Sequence, residues 1–234
     1  IKKIFDRHSP ILGLVQEFPF GLIDERDILL ELSKRIKNLR NLTEACVYLR
    51  EPWLIPVFEK APEEFFESML ENIKFTVPAL IGEIFDEEDR ELSRVYHGVL
   101  RALADGKETS KEISDYLASL GLIKPDPSLV YPYLKNLCEI GLVEKMKVYG
   151  KGRYRFKHVS PVLDLYYYID AKYAYSERNI PREMLIKIFK EKLPRHVEHF
   201  FRNLLADIFK LTPEIILEKN LEVDIALTEF KKLK

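Results

Sequence analysis

The chain has 234 residues, 47% of them hydrophobic and 32% charged, with a formal net charge of -1. That composition allows one large core or two to three small ones, and it excludes a uniformly basic nucleic-acid coat, so any electrostatic function must reside in local patches. No apolar run reaches the roughly 18 residues of a membrane span and no signal-peptide core opens the chain, so the expected location is cytoplasmic, with no membrane partner.

Residues 1–23 include "SPILGLVQEFPFG", an extended stretch punctuated by Pro10, Pro19 and Gly21. From Asp24, an N-cap candidate, Ile28, Leu29, Leu32, Ile36 and Leu39 recur at helical spacing. A second helix is expected to open at Thr43, with Glu44 in its first turn, and to end before Pro52. "REPWLIPVFEKAP" reads as a proline-punctuated connector whose Trp53 anchors the core. Cys46 and Cys138 sit in apolar helical patterns with no C-x-x-C and no neighbouring His, the setting of buried free thiols.

Residues 59–91 hold eleven acidic and three basic side chains, a segment charge of -8. Helices are expected from Pro62 to Lys74 and again from about Pro78, each proline in a first turn. "FDEEDRE" at 85–91 reads as a solvated helix start, where carboxylates favour the positive end of the dipole. A metal site there lacks an evident fixed loop geometry.

Between about Arg90 and His158 the pattern sharpens. Leu92, Val95, Tyr96, Val99, Leu100 and Leu103 form one stripe closed by Asp105 and Gly106. "TSKEISDYL" follows, capped by Thr109 or Ser110, and then "SLVYPYLKNLCEIGLVEK" turns Leu134, Leu137 and Ile140 inward. Two strand-like runs, "LVEKMKVY" and "RYRFKH", flank Gly150-Lys151-Gly152. Three short helices and a hairpin is the winged-helix order.

The glycines do not make a phosphate-binding loop. Such a loop needs four residues between its glycines, then Lys and Ser or Thr, and a helix after it. One lysine followed by strand fits a hairpin tip, where glycine supplies positive φ. Lys145, Lys147, Lys151, Arg153, Arg155 and Lys157 face one acid, Glu144, giving +5. On a wing these cations suit the phosphate backbone of double-stranded DNA beside the groove that takes helix three. That helix offers Ser128, Tyr131, Lys135 and Asn136 but no arginine for guanine, so backbone contact with little sequence choice is expected. Tyr131, Pro132 and Tyr133 suit packing against another domain equally well.

Downstream, "SPVLDLYYYIDAKYAYSERNIP" concentrates tyrosines, expected to pack with their polar tips satisfied. Pro194 is expected to interrupt a helical run, after which Val197, Phe200, Phe201, Leu204, Leu205, Ile208 and Phe209 form a continuous stripe. Beyond Pro213, "EIILEKN" and "EVDIAL" alternate like strands. His196 and His199 are expected on an exposed helix face rather than on a metal.

Together, "ALADGKETSKEISDYL", "YLKNLCEIGLVEKMKVYGKGRYRF" and "SPVLDLYYYID" resemble the C-terminal half of the archaeal P-loop ATPase family, over roughly residues 75 to 227. "SPILGLVQEFPFG" and "REPWLIP" look, more weakly, like the end of the ATPase core and its lid. The resemblance implies a mainly α, α+β architecture: a helical lid-like region at 1–88, a winged helix-turn-helix at 89–159, and an incomplete α/β endonuclease-like domain at 160–234. It implies ATP and magnesium for the parent protein. No Walker A or Walker B motif stands in this chain, so no residue here receives that role. The chain reads as a fragment, or a degenerate relative, of that ATPase, and its partners would be the ATPase core or other subunits.

In the endonuclease-like fold a helical Glu, a strand Asp and a later Glu-x-Lys gather around a divalent metal. Glu198 in "HVEHFF" and Asp224 in "EVDIAL" match the first two positions, and Glu229-Phe230-Lys231 has the form of the third. Five residues along one strand would put Asp224 and Glu229 on opposite faces unless a turn intervenes. The expected functions are therefore a regulatory or DNA-binding region of an ATPase, a protein-docking winged helix, and a metal-dependent nuclease tail.

Overall fold

A computed structural model describes residues 21–85, 90–218 and 223–229. The expected extended stretch before Gly21, the acidic residues 86–89, and Phe230 and Lys231 lie outside the described residues.

The first helices begin where short polar side chains meet unpaired backbone amides. Asp24 accepts from the Arg26 amide at 2.8 Å to open α1 (Glu25–Ser33), and Asn38 accepts from the Asn41 amide at 3.0 Å to open α2 (Leu39–Tyr48). The α2 start precedes the expected Thr43 because Asn38 already supplies the capping oxygen one turn earlier. A 3-10 turn (Pro52–Leu54) leads into α3 (Ile55–Lys60), and half-buried Trp53 packs against the core.

Two prolines do not end helices as their sequence context suggests. α4 (Phe65–Ile84) carries Pro78 inside, and α9 (Arg182–Phe209) carries Pro194 inside. A proline removes one backbone bond, at a cost of about 3 kcal/mol in an isolated helix. Here the buried stripe runs through it: Phe65, Met69, Ile73, Val77 and Ile81 on α4, and Leu185, Ile188, Phe189, Leu193, Phe200 and Leu204 on α9. Packing along the whole helix outweighs the single missing bond.

α5 (Arg90–Ala104), α6 (Ser110–Ser119) and α7 (Pro127–Glu139) precede a hairpin of β1 (Val143–Val148) and β2 (Tyr154–His158). Thr109 and Glu112 close a reciprocal capping box at α6, and Asp126 caps α7 through the Ser128 amide. Gly98 lies against α6, where a Cβ would stand 2.5 Å from a Leu117 methyl, so the helices touch at a residue with no side chain. At the hairpin tip Gly150 takes φ +65, whereas Gly152 is not among the positive-φ residues. One glycine, not two, meets the turn's steric demand.

α8 (Pro161–Tyr173) buries Tyr166 and Tyr167, and Tyr175 follows it inward, in line with a packed tyrosine cluster. After α9 come β3 (Thr212–Ile215) and β4 (Ala226–Thr228). The sheet order is β2-β1-β3-β4, with β1 parallel to β3 through Lys147 opposite Glu214 and Val148 opposite Ile215. The architecture is thus mainly helical with one small mixed sheet, and that sheet joins the hairpin to strands beyond residue 160. One buried cluster runs from Ile28 to Leu204.

The α8 terminus carries a conformational cost. Ala174 takes φ 51, ψ 51, the left-handed region that a Cβ disfavours. Ala174→Gly is expected to raise stability by about 0.5–1 kcal/mol, read as a higher urea midpoint at unchanged slope.

Candidate functional site

The hairpin cations are largely committed within the chain. Lys147 Nζ lies 3.5 Å from Glu214 Oε1, and Lys151 Nζ donates to the Leu217 carbonyl at 2.9 Å. The Lys145 ammonium stands 3.9 Å from the centre of the Tyr154 ring. Arg155 and Lys157 both reach Glu108, at 3.1 and 3.7 Å, and Arg195 of α9 joins the same carboxylate. Glu108 also presents its backbone carbonyl to the Phe156 amide at 2.8 Å, which lays the α5–α6 loop along the free edge of β2. Lys145, Lys151 and Arg153 are exposed and outside any ion pair among the described residues, and of these the Arg153 side chain alone lacks even a ring or carbonyl contact.

On α7, Ser128 spends both its amide and its hydroxyl on Asp126, at 2.8 and 2.7 Å. Lys135 lies 3.7 Å from Glu139, and Asn136 donates to the Tyr96 hydroxyl at 2.7 Å. Exposed Leu129 and Tyr131, with Ile140 at the C-cap exposed rather than inward as expected, give this helix a surface that is as much apolar as basic.

Glu198 and Asp224, far apart in sequence, line one open groove of about 670 Å³ together with Glu108, Arg155, Lys157 and Arg195. Arg202 ties this groove together. Its guanidinium pairs with the Glu198 carboxylate and donates to the Asp224 backbone carbonyl at 3.2 Å. A guanidinium on that carboxylate is the wrong charge partner for a divalent ion, and no three His, Cys, Asp or Glu side chains gather as metal ligands among the described residues. The donor set therefore does not fit the metal that the nuclease resemblance implies.

Behind the groove lies a buried polar hub absent from the sequence reading. His196 is 4% and His199 8% exposed, so the expected exposed histidine face is instead an interior one. The Tyr48 hydroxyl is 2.7 Å from His196 Nδ1, and His196 Nε2 is 2.9 Å from Asp164 Oδ2. Asp164 also meets His158 Nδ1 at 3.1 Å and Lys192 Nζ at 2.7 Å, and Lys192 donates to the Ala104 carbonyl at 3.0 Å. His199 Nε2 stands 2.9 Å from Glu144 Oε1 on β1. β2 and α9 meet the α8 carboxylate directly, and α2 and α5 join the hub through His196 and Lys192. The periodicity of α9 could have flagged this, since Lys192, His196 and His199 share the face of Phe189 and Phe200.

Burial opposes the charge on Asp164, but the hydrogen bonds from His158 and His196 and the nearby Lys192 outweigh it and hold the carboxyl well below its ordinary range. Burial lowers His196 despite Asp164, and burial with nearby Arg101 lowers His97. Each folded affinity is lower than the unfolded one, so each contribution is complete above the unfolded value and fades as pH falls through the folded one. Stability is therefore expected to be flat near neutrality. It declines below about pH 6.5 as the unfolded histidines protonate, and declines again below about pH 4 through Asp164 and Glu144. Urea midpoints measured from pH 8 to pH 3 would show the two steps.

No family model matches the chain, and no curated protein and no solved structure is similar to it. No helix among the described residues is long and apolar enough to cross a membrane.

Proposed function

We propose that this chain is the lid, winged-helix and C-terminal region of a P-loop ATPase of the archaeal type, and that its winged helix works by docking on protein. The observation that carries the docking reading is the commitment of Lys147, Lys151, Arg155 and Lys157 to acceptors of the chain itself. Cations already paired release fewer counterions from DNA, so they contribute less to its binding. The exposed Leu129, Tyr131 and Ile140 supply apolar area of the kind that protein interfaces cover.

A DNA-binding form keeps a specific observation in its favour, since Arg153 is exposed at the hairpin tip and Tyr131 and Lys135 are exposed on α7. The nuclease reading retains the shared groove of Glu198 and Asp224, with Arg202 standing against it.

Hydrogen exchange separates the first two readings. Adding the ATPase core that accompanies this region should protect α7 around Leu129 and Tyr131. Unchanged exchange there, with protection appearing instead on addition of duplex DNA, would favour the DNA form. The ATPase assignment itself is tested by the coding sequence ahead of Ile1, where it requires a Walker A motif.

A further inference from the structure

A second cleft, remote from the hairpin, carries a charge asymmetry of its own. Its volume is about 560 Å³, and its walls come from α4, α5, the α6–α7 connection and α8. Small-molecule sites commonly occupy about 300–1,000 Å³. On α5, Arg94, His97 and Arg101 stand at helical spacing along one face that lines the cleft.

Among the described residues the only carboxylate on the cleft lining is Asp170, and it is fully engaged. Its Oδ1 accepts from the Ser176 amide at 2.9 Å and the Ser176 hydroxyl at 2.6 Å, while its Oδ2 accepts from Arg101 Nη2 at 2.7 Å. Asp170 thus fixes the Arg101 guanidinium through Nη2 without using all its donors, while Arg101 Nε is buried and has no hydrogen-bond partner among the described residues. Arg94 is exposed, and no carboxylate among the described residues pairs with it. His97 is held by the Tyr167 hydroxyl at 2.7 Å, and burial keeps its imidazole neutral near pH 7. The polar wall therefore offers donors in excess of acceptors. Across from it, Leu120, Leu122 and Pro78 supply apolar surface, with Leu120 exposed.

We propose that this cleft binds a small organic anion, a carboxylate or phosphate attached to an apolar body. The guanidiniums of Arg94 and Arg101 take the anionic group, and the leucine and proline wall takes the body. A guanidinium fork matches both carboxylate and phosphate geometry. A cationic ligand would face two like charges with no free carboxylate among the described lining residues to meet it, and a neutral one would leave those donors without an anion.

Calorimetric titration of the 234-residue chain tests this with phenyl phosphate, benzoate, benzamide and inorganic phosphate as probes. Phenyl phosphate or benzoate should bind at least about 10-fold more tightly than both benzamide and inorganic phosphate, the factor expected for one charge-assisted contact. Preference for phenyl phosphate over benzoate would assign the site to phosphates, and the reverse to carboxylates. Because Arg94 is exposed, Arg94→Ala should leave folding intact and weaken the tighter probe by about 10-fold. Lys111→Ala, on another helix, should leave it unchanged. Binding of benzamide or inorganic phosphate as tight as the aromatic anions, binding indifferent to Arg94→Ala, or no binding of any probe at millimolar concentration would overturn the proposal.

Discussion

Asp164→Ala is expected to cost about 3–5 kcal/mol, the largest loss from any single substitution outside the apolar core. The residue accepts from two imidazoles and pairs with Lys192, all within 3.1 Å. Its removal leaves the Lys192 ammonium, 9% exposed, with the Ala104 carbonyl and the Tyr168 ring face as its partners among the described residues. A buried cation without its counter-charge is the costly outcome, because the solvation lost on folding is no longer offset. Lys192→Met in the Asp164→Ala background should recover part of the loss, since it removes the unpaired charge. Urea unfolding of the two single variants and the double variant gives the coupling directly. A single-variant loss below about 1 kcal/mol would mean that solvent relaxes into the hub and that the hub is not what joins these elements.

The second large effect is expected at Glu108. One carboxylate meets Arg155, Lys157 and Arg195, so Glu108→Ala leaves three cations facing one another. Like-charge repulsion adds to the lost hydrogen bonds, and a stability loss of about 2 kcal/mol is expected. The loss should be local as well as global. Amide exchange of β2 should accelerate before that of α4, because the α5–α6 loop no longer pins the strand edge. Uniform acceleration across both elements would show that the hairpin and the helical core open as one unit.

Much of the architecture was legible because local signals agreed with the global fold. The caps at Asp24 and Thr109, the stripes of α5 to α7 and the single-turn hairpin are each fixed by neighbours within a few residues. The errors came where tertiary packing overrode local rules. Pro78 and Pro194 carry strong breaker signals, yet each lies within an apolar stripe that continues on both sides.

The candidate site was less legible, for a different reason. A charge count along the chain found the six hairpin cations but could not show that Glu108, Glu214 and the Leu217 carbonyl would meet four of them. Glu108 comes from the α5–α6 loop, and Glu214 arrives 67 positions beyond Lys147 by parallel strand pairing. The hub at Asp164 draws on residues from Tyr48 to His196, a separation no periodicity spans. The nearness of Glu198 and Asp224 was expected from resemblance, whereas Arg202 between them was not.

The account turns on whether the hairpin charge is spent inside the chain, and a salt titration of duplex DNA binding measures that most directly. Wild-type protein should bind weakly, with a log affinity against log salt slope of about two phosphates or fewer. Replacing Glu108 and Glu214 together by Gln should tighten binding and steepen the slope toward about five, because the released cations become available to phosphate. A wild-type slope already near five, lost on Lys147→Ala and Lys151→Ala, would show those cations facing DNA and would contradict the docking account.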